Sequence, residues 1–399
     1  MRVVSNLRAY AALGFRLRVL LFSSDPALDV DIPLSGDVSV DQIVVVPRNP
    51  SVSARICYRL GLPQPAAIEY MFPAGAGAFA AARRLERHYP HAIHHFEGED
   101  VAAAMLFGSV PRSIWSFHDM PSAVSQASAD IASELEGRGQ SRSESREVRF
   151  MRSVERRLAR RAHLILTISE VDCGAIRGWG LKNVEALPFS VEHEPGDIVR
   201  RSDSGRLKLL HLGRVAHLPS YRSLEFLLEQ VVPRLDGNVR RHVELLVVGT
   251  ATGSDMRTRR IQQLAAQHPD VVRLCGYVDD LAPLYQQCDA QVVAAAQATG
   301  ARTRVVESFA HSLPVISTSV GAAGIRGLRP GRNILIANEP DEWTRLLSTL
   351  ASERTELAAI GREGRLTYER EHSSNVVADS LAQALDRHFG SSLPVRQAR

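Results

Sequence analysis

Gly300-Ala301-Arg302-Thr303-Arg304-Val305-Val306-Glu307, followed by Leu313-Pro314-Val315-Ile316-Ser317, is the stretch whose reading decides the fold. A glycine-bearing loop delivers two arginines and then a glutamate into the first turns of a helix. Loop and helix lie between two short apolar runs, Ala290 to Ala296 and Val315 to Ser317. Unpaired backbone N–H groups at a helix start favour an anion, and flanking guanidiniums strengthen that preference. A carboxylate one turn later cannot hold phosphate but suits a ribose diol. Diphosphate beside ribose describes a nucleotide.

Outward from this unit, short apolar runs keep alternating with helical patterns. Leu207 to Leu212 reads as a strand, and Tyr221 to Leu235 as a helix with Leu224, Leu227, Leu228 and Val231 on one face. Val243 to Val248 is a strand, Met256 to Gln267 a helix, Val271 to Leu274 a strand and Asp280 to Gln287 a helix. A strand at Ile334 to Ile336 precedes helices from Glu339 onward. Such alternation implies right-handed crossovers and a parallel, doubly wound sheet. Ligands of these sheets sit beyond the carboxyl ends of the strands, where the loops at Gly213, Gly249, Gly276 and Gly300 fall.

The first half repeats the scheme less regularly. Strand candidates are Arg18 to Phe22, Gln42 to Val46, Ala92 to His95, Ser113 to Phe117 and Leu164 to Ile168. Helices are expected over Val4 to Leu13, Gly77 to His88, Asp100 to Phe107 and Arg149 to Ala162. Ser122 to Glu147, poor in large apolar residues, reads as a loop or frayed helix. The expected organisation is a Rossmann-like domain over 1–192, a polar linker over 193–206, a second Rossmann-like domain over 207–370, and C-terminal helices over 371–390 packing back on the first domain. Two sheets facing across a linker would enclose a cleft.

At 399 residues the chain has room for two cores. A net charge of +4 suits an anionic ligand or an anionic surface. Cys57, Cys173, Cys275 and Cys288 lack metal-type spacing and imply free thiols in a reducing compartment, with Cys275 and Cys288 expected as buried small hydrophobes. No apolar run approaches the ~18 residues of a membrane span. Arg152 to Arg161 is a basic amphipathic run that could meet anionic headgroups, though a solvated helix face is the preferred reading. Basic residues lack interleaved aromatics, which argues against nucleic acid. Asp29-Val30-Asp31 has the look of a metal-binding acid pair but sits in a polar, proline-flanked loop.

Together these segments resemble the retaining GT-B glycosyltransferases of the GT4 type, the glycosyl transferases group 1 family. The resemblance is carried by His211-Leu212-Gly213-Arg214, Gly276-Tyr277-Val278, Gly300 to Glu307, Ser312-Leu313-Pro314-Val315-Ile316-Ser317-Thr318 and Gly321-Ala322-Ala323-Gly324. In the first half it is carried by Trp115-Ser116-Phe117-His118-Asp119 and by Arg156 to Ala162 followed by Leu166-Thr167-Ile168-Ser169. It implies two Rossmann-like parallel sheets and transfer of a sugar, with retention, from a nucleotide-sugar to a glycan or glycolipid. The implied donor is UDP- or GDP-linked, no metal cofactor is needed, and the setting is cytoplasmic or peripheral to the inner membrane face.

On this resemblance His118, Asp119, Arg214 and Arg304 are the candidate catalytic residues. Gly213, Gly249, Gly276, Tyr277, Val278, Thr299, Gly300, Arg302, Thr303, Val305 and Glu307 are the candidate donor-binding residues. Thr299 stands where many members carry the first of two glutamates, and His217 to Tyr221 offers no counterpart of the family's lysine. The family pattern also opens with a strand and a glycine-rich loop, whereas Met1 leads directly into a helix. The alternative expectation is therefore a catalytically impaired GT-B protein acting as a partner or scaffold subunit.

Overall fold

A computed structural model describes residues 2–23, 38–44, 56, 65–117, 119–123, 125–126, 145–191, 205–249, 255–295 and 302–390. The chain divides into two compact units, Met1–Phe189 with Ser374–Arg399, and Ser190–Ser373.

In the first unit β1 (Leu17–Ser23) pairs in parallel with β2 (Val38–Val44). A second parallel sheet runs β3 (His94–Glu97), β4 (Ser113–Ser116), β5 (Leu164–Thr167), β6 (Val184–Ala186) in that spatial order. Side chains alternate between two helical layers, as the period of two along a strand requires. Ile114, Leu164 and Leu166 face α1 (Arg2–Ala12) and the helix Ser374–Phe389. Trp115 and Ile165 face Ala74–His88 and α2 (Arg146–Arg161). Both faces are covered, which is why β4 and β5 are apolar at their centres and buried at every position. Ser145 starts α2 by accepting from the Val148 N–H at 3.2 Å.

The second unit holds a six-stranded parallel sheet made of β7 (Leu207–Leu212), β8 (Val243–Val248), β9 (Val272–Gly276), β10 (Ala290–Val293), β11 (Val315–Ser317) and β12 (Leu335–Ile336). Its order is β12-β11-β10-β7-β8-β9, so the chain winds outward from β7 in one direction and then, after β9, in the other. Gaps of that kind in strand order create the crevice that ligands use in such sheets. Three helices bring residues to this edge: α3 (Leu218–Phe226) after β7, α4 (Met256–Ala266) after β8 and α5 (Arg302–Ala310) after β10.

Several boundaries differ from expectation, for local reasons. β3 begins at His94 rather than Ala92, because the Ala92 N–H closes a turn onto Tyr89 O at 3.0 Å. The helix expected over Asp100 to Phe107 is two short ones, Glu99–Ala102 and Ala104–Phe107, meeting at Ala103. The helix expected over Tyr221 to Leu235 is α3, then a π turn at Leu227–Val231 and a 3-10 turn at Val232–Arg234. Pro233 lies in that final turn and has no N–H for a continuing α ladder. β6 was not anticipated at all, since Val-Glu-Ala is too short to show a period.

Candidate functional site

Three strand ends in the second unit are tied edge to edge. The Gly213 N–H donates to Val248 O at 2.9 Å, and the Gly249 N–H donates to Gly276 O at 2.7 Å. Gly213 and Gly249 have φ of +136° and +139°, a conformation other residues adopt only with strain. Space matters as much as torsion here. A Cβ on Gly249 would overlap the Gly213 carbonyl, and one on Gly213 would overlap the Arg304 guanidinium. These glycines therefore let one loop stack on the next and let a cation rest on bare backbone.

That cation comes from the first turn of α5. Arg304 Nη2 donates to Ser220 Oγ at 2.6 Å, joining α5 to α3 beside Gly213. Burial pulls the guanidinium down to about 10, partly offset by the neighbouring Tyr285 and Glu307. It remains a cation at neutral pH, held where charge is poorly screened. Neighbouring Arg214 is exposed. Arg257, on α4, donates from Nη1 to Ala216 O at 3.1 Å, so a third guanidinium reaches the same five-residue loop. His217 reports the combined field: its pKa is lowered by burial and then by Arg304, Arg214 and Arg257.

Below the loop, His211 is fully buried in β7 and neutral, its pKa lowered to about 3 by burial and then by Arg304. Its Nε2 lies 3.2 Å from Ser223 Oγ, which itself accepts from the Ala294 N–H at 3.1 Å. That leaves the serine proton to point at the imidazole. One turn beyond Arg304, Glu307 is partly buried next to Tyr285, whose phenol is raised by burial and then by the Glu307 charge. Tyr285 stacks on His311 with ring centroids 4.1 Å apart and planes 15° from parallel. Glu307 thus sits against a rigid aromatic wall.

Not every expected residue joins this group. Val305 is wholly buried and packs in the core, while Thr303 is half-buried. Arg302 opens α5 as its first residue. Gly276 ends β9 with φ +73°, after which Tyr277 is 70% exposed and Val278 packs against the apolar cluster that includes Tyr285. Cys288 is buried but Cys275 is only partly so, at the edge strand β9. In the first unit Asp119 is half-buried. His118, Thr299, Gly300 and the Asp29–Asp31 pair lie outside the described residues. Among the described residues no group of three His, Cys, Asp or Glu side chains is placed to hold a metal.

The sequence reading passed over Ser220, His217 and Arg257. For Arg257 a usable signal existed. Asp255 is an N-cap residue, its carboxylate accepting from the Thr258 N–H at 3.0 Å, so Arg257 had to open a helix at the same sheet edge as Gly213.

Residues 206–353, the span that contains all of this geometry, match the family Glycosyl transferases group 1. Comparison of the whole sequence with curated proteins gave no match. Solved structures resemble the chain at low identity and over nearly its full length. Sucrose-phosphate synthase from Thermosynechococcus elongatus superposes with a TM-score of 0.68 at 16% identity, covering 96% of this chain and 92% of its own. HepE of Anabaena, in complex with UDP and glucose, gives 0.60 at 14%, covering 98% and 96%. WaaG, a glycosyltransferase involved in lipopolysaccharide biosynthesis, gives 0.60 at 14%, covering 97% and 95%. With two parallel α/β units, the chain has the GT-B fold.

Proposed function

We propose that the protein transfers a sugar, with retention, from a UDP- or GDP-linked donor to a glycan or glycolipid acceptor. The group 1 match supports glycosyl transfer, and the similarity to a protein solved with UDP and glucose supports a nucleotide-sugar donor. The observation that carries the reading is the contact of Arg304 with bare Gly213 and Ser220 in a loop that Arg214 also lines. Breaking the anomeric bond leaves positive charge on the sugar and negative charge on the departing diphosphate. Arg304 and Arg214 are positioned to stabilise that leaving group without the help of a metal, and they need not reorganise as charge develops. Glu307 takes the ribose hydroxyls, and Gly276, Tyr277 and Val278 border the base. To His118 we assign a role at the reacting centre, holding a sugar hydroxyl or the transferred group, with Asp119 to orient it.

The exposed arginines of α2 extend the proposal to a membrane-peripheral setting. Arg156 lies over the Trp179 ring at 5.8 Å, beside a recess of about 260 Å³ lined also by Arg160 and Leu181. Cations beside an amphipathic ring suit an anionic headgroup layer. Among the described residues no helix is long and apolar enough to cross a membrane.

The reading is tested by thermal shift with UDP, GDP, UDP-glucose and GDP-mannose, since selective binding raises the melting temperature. One nucleoside diphosphate and its sugar should stabilise the protein well above the others. Donor turnover without acceptor, read as free diphosphate, separates the transferase from the impaired scaffold. No shift with any of them would end the donor assignment.

A further inference from the structure

We propose that Arg257 is a diphosphate-binding residue, supplied by α4 rather than by the β7 or α5 motifs. The inference deepens the nucleotide-sugar reading and names a group that neither motif contains.

Placement comes first. Asp255 caps α4, accepting from the Thr258 N–H at 3.0 Å and from the Thr258 hydroxyl at 2.6 Å, so the turn bearing Arg257 is fixed. From there the side chain crosses to the loop joining β7 and α3 and donates to Ala216 O at 3.1 Å. One guanidinium donor is thereby used to hold the loop, out of the five that an arginine carries. Arg304 holds the other end of the same loop, resting on Gly213.

Charge then decides the ligand. Gly213-Arg214-Val215-Ala216-His217 contains no acid, yet it gathers Arg304 at one end, Arg257 at the other and Arg214 between. Like charges crowded onto five residues repel unless an anion is shared among them. A singly charged ion would satisfy one guanidinium, whereas a diphosphate has enough oxygens and charge to satisfy all three. The helix that follows adds to this, because His217 caps α3 without a side-chain bond to its opening N–H groups.

The test measures binding of UDP, uridine and inorganic pyrophosphate to the full chain by calorimetry, for wild type and for Arg257→Ala, Arg257→Gln and Arg257→Lys. Glutamine keeps an amide donor for Ala216 and loses the charge; lysine keeps the charge. The expected result is that Ala and Gln weaken UDP and pyrophosphate by on the order of tenfold, as loss of one charge-assisted contact should. Lys should retain most of the affinity, and uridine should change by less than about twofold in all three. A glutamine variant that binds UDP like wild type would overturn the proposal and leave Arg257 as a loop anchor. Equal losses of uridine and UDP would overturn it too, as displacement of the loop. Pyrophosphate binding that depends on Arg257, in a protein that ignores UDP and GDP, would uphold this assignment while sinking the nucleotide-sugar reading. Binding of neither by the wild type would sink both.

Discussion

The carboxyl ends of the strands are built from opposite materials in the two units. In the second unit β7, β8 and β9 end in or just before glycines with positive φ, and the space beside Gly213 goes to the Arg304 guanidinium. In the first unit β3 ends in Glu97, ahead of Gly98, and β4 in Ser116, and the Glu97 and Ser116 side chains bond to neighbours on α1 and β3. His95 lies 2.9 Å from the Tyr10 hydroxyl through Nδ1 and 2.7 Å from Ser116 Oγ through Nε2, and Asn6 donates to Glu97. Glu97 also approaches His95 at 3.4 Å. One edge gathers cations on bare backbone and so suits a phosphate-bearing ligand. The other holds a carboxylate, an imidazole and hydroxyls in a closed network, which a polyanion would not enter. Two sheets of the same topology class thus divide their chemistry by what stands at the strand ends.

The largest effect should come from the glycines themselves. Gly249→Ala must force its Cβ into the Gly213 carbonyl, a backbone atom that cannot swing aside, while keeping φ near +139°. A loss of about 3 kcal/mol or more in urea unfolding is expected. Gly98→Ala in the first unit, with φ +86° and nothing within 4 Å of the added atom, should lose only about 1 kcal/mol. Equal losses would show that crowding at the second unit's sheet edge is not what separates the two.

Arg304→Ala comes next and should be selective. It removes the cation seated on Gly213 and should weaken UDP on the order of a hundredfold, erasing its thermal shift. Asn6→Ala, at the opposite edge, should leave UDP affinity within about twofold of wild type. Glu307→Gln should weaken uridine as well as UDP, and unchanged uridine affinity would remove Glu307 from the ribose site.

Stability against pH should separate the units by sign. His211 has a folded pKa near 3, below its ordinary 6.5, so its contribution is intact above about 6.5 and is lost as pH falls toward 3. Between pH 7 and pH 5 that group alone should remove about 2 kcal/mol, and His211→Gln should flatten the loss. Glu155 in the first unit is raised by burial, only partly offset by Ser122, which donates to it from its N–H and hydroxyl. A carboxyl with a raised folded pKa stabilises most below its unfolded value and loses that contribution as pH rises through the folded one. Glu155→Gln should therefore flatten the loss of stability that begins as pH rises past the ordinary carboxylate range. The smallest effect expected is on vesicles. Flotation with phosphatidylglycerol should weaken severalfold when Arg156 and Arg160 become Gln, and an unchanged yield would withdraw the headgroup contact.

How much of this was legible in the sequence follows the same division. In the second unit β7, β8 and β9 are largely apolar runs that lead into or end in glycine, so periodicity and punctuation agree, and the strands were found within a few residues. In the first unit β6 has three residues and β3 carries two histidines, so pattern alone misplaced one and missed the other. The phosphate-side arginines of the strand and helix motifs could be read because the motifs are local. For Arg257 only its place at a helix start was legible, since its contact with Ala216 spans 41 residues. Ser220 was hidden likewise: only the fold shows that its hydroxyl meets Arg304 across 84 residues.

The most direct measurement is a crystal structure of the protein with UDP. Diphosphate oxygens should lie within hydrogen-bonding distance of Arg304 and of the Gly213–His217 loop, with the ribose hydroxyls on Glu307. A nucleotide bound elsewhere, or one whose phosphates point away from Arg304, would contradict the account.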